Sequence, residues 1–81
     1  LINRSLVTAQ ELTDWMTNEL RKQEDCQLCE IKGIIPLQLP DQDGCNWSES
    51  VTLNNGGVPT AIVSPHAHRI ILEARRKFNL G

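Results

Sequence analysis

The chain has 81 residues, 40% of them hydrophobic and 22% charged, with ten acidic against eight basic side chains for a formal charge of −2. At that length it builds a single compact domain over residues 1–81, because a chain this size buries only a little more than about 60% of its unfolded surface and cannot support two cores. The acidic balance argues against a wholesale electrostatic partner such as duplex DNA or an anionic membrane, and no run reaches the roughly 18 apolar residues that a membrane span requires.

The first element is a helix beginning at Thr8. Thr8 and Glu11 form a capping box, in which each side chain satisfies a free backbone N–H at the helix start. Val7 and Leu12 form a hydrophobic staple across the cap, and Leu12, Trp15, Met16 and Leu20 follow the i, i+3, i+4, i+8 spacing of one buried stripe. The helix runs out in Arg21, Lys22 and the polar residues after them, cations that complement the negative end of its dipole.

From Cys29 the period changes to two. Ile31, Ile35, Leu37 and Leu39 occupy odd positions, with Glu30, Lys32 and Gln38 among the even ones, which predicts a strand with a bulge at Gly33 and an edge or bend at Pro36. Pro40–Gly44 is a turn, and Cys45, Trp47, Val51 and Leu53 fall on odd positions again, so the two strands form a hairpin. Asn54–Gly57 is a second turn, and Val58–Val63 reads as a short third strand or an extended lead into the last helix. That helix starts with Ser64 as N-cap and Pro65 at its first position. Ala67, Ile70, Ile71, Ala74 and Phe78 face the core, and Asn79 or Gly81 ends the helix in a left-handed conformation. The order is α-β-β-(β)-α, and the fold class is α+β, a small two-layer domain in which an antiparallel hairpin sheet packs on the two helices.

Few motifs carry chemistry. Cys26 and Cys29 have the spacing of half a zinc site, which Cys45 and His66 or His68 would have to complete; no second C-x-x-C or H-x-x-x-H unit occurs, so no metal or other cofactor is expected. The pair follows a helix instead of opening one, so it lacks the helix N-terminus that activates a redox thiol, and buried packing at the helix-to-strand junction is the plainer role. His66 and His68 point about 200° apart on a helix and cannot clamp one ion. Asp41–Gly44 has its glycine too early for a calcium loop, Asn54–Gly57 lacks the lysine of a phosphate loop, and no nucleophile sits in a recognisable frame with a base, so the chain is not expected to be an enzyme.

The function these residues favour is binding to a protein partner, through the hairpin edge or the outer sheet face. Glu30, Lys32, Ile34 and Gln38 are the contact residues there, joined by Trp47, whose odd-position alternation favours the core over a surface anchor. A nucleic-acid-associated regulator is the alternative, using Arg69, Arg75, Arg76 and Lys77 of the last helix; much of that cluster is equally explained by dipole complementarity. A zinc-stabilised domain through Cys26, Cys29, Cys45 and His66 is third. Three cysteines, an odd number, suit reduced thiols, and the expected location is cytoplasmic.

Overall fold

The computed structural model describes residues 4–81. Among these residues the elements in chain order are β1 (Ser5–Val7), α1 (Ala9–Arg21), a 3₁₀ turn (Glu24–Cys26), β2 (Glu30–Gly33), β3 (Thr52–Asn54), α2 (Thr60–Lys77) and β4 (Phe78–Leu80). The class is α+β, with two helices and two two-stranded sheets, but the order is β-α-β-β-α-β. No helix among the described residues is long and apolar enough to cross a membrane.

α1 forms where its cap predicts. The Glu11 amide donates to Thr8 Oγ1 at 3.1 Å and the Thr8 amide to Glu11 Oε1 at 2.9 Å, completing the box. Leu12, Met16 and Leu20 are buried, Trp15 is half-buried at the flank, and Val7 packs against the core. Thr17 adds a polar anchor that its residue type does not advertise: its Oγ1 accepts the Ile31 amide at 3.0 Å and so fastens β2 to α1.

The hairpin is present in broken form. At its base β2 and β3 pair antiparallel, Glu30 with Asn54 and Ile31 with Leu53, and the register then slips between Ile31 and Gly33. Such a slip turns the following side chains to the opposite face. Ile31 is therefore buried and Ile34 packs against the core, while Ile35 and Leu39 are 53% and 79% exposed, contrary to their odd-position expectation. Beyond the slip only a Pro36–Trp47 bridge remains, flanked by Leu37 N–H donating to the Asn46 carbonyl and Ser48 N–H to the Ile35 carbonyl, each at 2.8 Å. In that pattern Pro36 turns its own backbone groups away from its partner.

The second half departs further. α2 begins at Thr60, not Ser64, so Val58–Val63 supplies no strand and Pro65 lies inside the helix. Pro65 cannot donate to the carbonyl four residues back, but Ala61 sits on the exposed side, where solvent can satisfy it. The gain is Val63, fully buried one turn ahead of Ala67, Ile70, Ile71 and Ala74. Nor does α2 end in a left-handed Asn79 or Gly81: among the described residues positive φ is confined to Gly44, Gly56 and Gly57. Phe78–Leu80 leaves the helix as β4 and pairs in parallel with β1, Ser5 with Phe78 and Val7 with Leu80. Phe78 still reaches the core's edge, where its ring meets Trp15 edge-on with centroids 5.2 Å apart.

Candidate functional site

An open cleft of about 630 Å³ lies between the outer face of α2 and the hairpin tip. His68, Arg69, Leu72, Arg75 and Arg76 line the helix side, and Arg4 and Asp43 the other. Spacings of three and four residues bring the helix set onto one side of α2.

A clamp at the tip holds the two walls together. Gly44, at φ +85°, closes the tip turn in a conformation that suits glycine, and its amide donates to the Asp41 carbonyl at 2.9 Å. The Asp41 carboxylate accepts the Asp43 and Cys45 amides at 2.9 and 3.1 Å and pairs with Arg75. The Cys45 amide is the main cause that holds the Asp41 carboxyl below the ordinary carboxylate range, helped by the Asp43 amide and Arg75 and opposed by partial burial. Arg75 also donates to the Trp47 carbonyl and lies over the Trp47 ring, 5.6 Å from its centroid. Arg4 ties the walls from outside: its Nε donates to the Arg75 carbonyl at 2.7 Å and its Nη1 to the Asp43 carbonyl at 2.8 Å.

The same tip binds β4 through two asparagines. The Asn46 side-chain amide pairs with Leu80 as a one-residue strand would, accepting its N–H at 2.8 Å and donating to its carbonyl at 2.8 Å. Asn79 returns the arrangement by accepting the Asn46 amide at 3.1 Å and donating to the Gly44 carbonyl at 3.0 Å. Trp47 Nε1 donates to the Phe78 carbonyl at 3.0 Å. These bonds, with the β1 pairing, draw residues 78–80 into extended backbone instead of a further helical turn.

The basic cluster of α2 therefore divides. Arg75 is committed to the fold. Lys77 pairs with Glu73 at 2.9 Å and stands over the Trp15 ring, 5.4 Å from its centroid; Lys77 first, then Arg76 and Arg69, hold the Glu73 carboxyl below its ordinary range. Arg69 and Arg76 are exposed and form no ion pair within 4.0 Å among the described residues. Between them Leu72 is 41% exposed.

The residues expected on the outer sheet face do not form one surface. Glu30 and Lys32 are exposed and line a polar groove of about 330 Å³ against Asp14 and Arg21 of α1. Gln38 is exposed beyond the register slip, whereas Ile34 packs against the core because of it. Trp47 is fully buried, so it is a core residue and not an exposed anchor. The third reading's ligand set is not assembled either: among the described residues no three His, Cys, Asp or Glu side chains gather as a cation site. Cys29 Sγ donates to the Asn55 carbonyl at 3.3 Å and Cys45 Sγ to the Trp47 carbonyl at 3.6 Å, while His66 lies half-buried on α2. Burial pushes the Cys26 thiol up to about 11, with Cys29 beside it adding to the rise, so it is a protonated packing group near neutrality.

Sequence reasoning missed Leu72 and Arg4 as cleft residues. Leu72 had a signal, since it stands three residues after Arg69 and four before Arg76 on one helix. Arg4 had none, lying 71 residues from the carbonyl it binds. No protein-family model, no curated protein and no solved structure matches this chain, so its own residues carry the functional reading.

Proposed function

We propose that this chain is a non-catalytic docking domain that binds a protein partner in the cleft between α2 and the hairpin tip. The observation that carries this reading is the placement of Arg69 and Arg76, neither in an ion pair within 4.0 Å among the described residues, on either side of half-exposed Leu72. An apolar side chain framed by cations suits a ligand that is itself part apolar and part acidic. The hairpin edge is the poorer surface, because Pro36 turns outward a nitrogen that has no hydrogen to donate to an added strand. Three buried free thiols suit a reducing compartment such as the cytoplasm.

Nucleic acid would use the same two arginines, but Arg75 and Lys77 are engaged within the fold and a leucine occupies the space between the remaining cations. Affinity capture with the full chain, run with and without nuclease and repeated with Arg69→Ala/Arg76→Ala, separates the readings. Docking predicts a protein retained after nuclease treatment and lost with the double variant. A partner released by nuclease would favour the nucleic-acid reading, and a partner indifferent to the double variant would move the surface elsewhere.

A further inference from the structure

We infer that the ligand of this cleft, granted the docking reading above, is an extended acidic peptide segment of the pattern acidic-x-apolar-x-acidic. Arg69 and Arg76 are seven residues apart on a regular helix and so stand about 10 Å apart along its axis, with Leu72 about 4–5 Å from the first. In an extended chain every second side chain shares a face and successive same-face positions are about 6.6 Å apart. Three such positions span about 13 Å and present acid, apolar group and acid in the order in which α2 presents arginine, leucine and arginine. The long arginine stems take up the difference of about 3 Å by splaying outward.

The opposite wall fixes what the intervening positions carry. Arg4 donates its Nε to the Arg75 carbonyl and its Nη1 to the Asp43 carbonyl, and both Arg4 and Asp43 line the cleft. That wall sets one cation, Arg4, beside one anion, Asp43, so it offers a second row of carboxylates no net attraction. Small neutral residues fit those positions.

The test is a chemical-shift titration of the isotope-labelled full chain, at physiological salt, with end-blocked peptides of core Glu-Ala-Leu-Ala-Glu. The comparators are Glu-Ala-Ala-Ala-Glu, Ala-Leu-Ala-Glu-Glu, pentaglutamate and a single-stranded oligonucleotide. The alternating peptide should bind at least about fivefold more tightly than any comparator, shift the amides of Arg69, Leu72 and Arg76, and lose about tenfold in Arg69→Ala/Arg76→Ala. Equal binding by every acidic peptide, still lost in the double variant, would overturn the pattern while leaving acidic docking in place. Binding of the oligonucleotide alone, or of nothing in the panel, would overturn the pattern and count against the cleft as a peptide-docking site. The double variant changes two exposed side chains, and Leu72→Ser supplies an independent check, expected to reduce the alternating peptide to the affinity of its alanine comparator.

Discussion

The two ends of the hairpin are held by different forces. At the base, β2 and β3 meet in a backbone ladder, Ile31 is buried, and its amide is satisfied by Thr17 of α1. At the tip, backbone pairing shrinks to one bridge, and the work passes to side chains: Asp41 and Arg75, Asn46 with Leu80, Asn79 with Gly44, and the Trp47 indole with Phe78. The base is ordinary sheet packed on a helix. The tip is a polar clamp around one buried tryptophan, and it forms a wall of the cleft in which Arg69 and Arg76, outside any close ion pair, flank Leu72.

The largest effect separating the two ends should come from Trp47→Ala. Its side chain is fully buried and carries the indole bond to β4 as well as the face under Arg75, so the loss should be about 3–5 kcal/mol in urea denaturation. A loss under about 1 kcal/mol would mean that the tip closes without it. At the base, Thr17→Val keeps the volume but strands the buried Ile31 amide, which should cost about 1–3 kcal/mol. It should leave the tip amides protected from hydrogen exchange; loss of protection at both ends together would merge the two regions into one cooperative unit.

The smallest separating effect is in acid. Asp41 has a depressed folded pKa, so its stabilisation is fully present above the ordinary aspartate range near 3.9 and is lost as pH falls through the lower folded value. Wild type should therefore exceed Asp41→Asn in urea midpoint at neutral pH, and the gap should close below about pH 4. A gap that stays constant would mean that the carboxylate charge contributes nothing to the clamp.

The same division explains what the sequence discloses. The base and α1 are legible because their determinants are local: the Thr8–Glu11 box lies within four residues, and alternation at Ile31 and Leu53 marks an inner face. Gly33 is legible as a bulge, yet the slip it permits reassigns Ile34, Ile35 and Leu39, and no local cue says to which face. Ser64 and Pro65 mimic a helix start so well that Val63, in step with Ala67 one turn later, is overlooked. The clamp has no period to detect. Asn46, Asn79 and Arg4 act through side-chain bonds to backbone groups more than thirty residues away, and β1 and β4 are three residues each. The cleft inherits that opacity: its helix face can be read from spacing, but its opposite wall exists only once the tip is folded back.

Like residues are split: Arg75 is committed to the fold, whereas Arg69 and Arg76 are exposed and, on the docking proposal, left for a ligand. Urea denaturation of Arg75→Gln beside Arg69→Ala/Arg76→Ala tests that split directly. The midpoint should fall clearly in Arg75→Gln, which deprives Asp41 and the Trp47 carbonyl of their partner, and should stay within about 0.5 kcal/mol of wild type in the double variant, as for exposed substitutions elsewhere. An unchanged midpoint in Arg75→Gln, or an equal fall in both, would contradict the division.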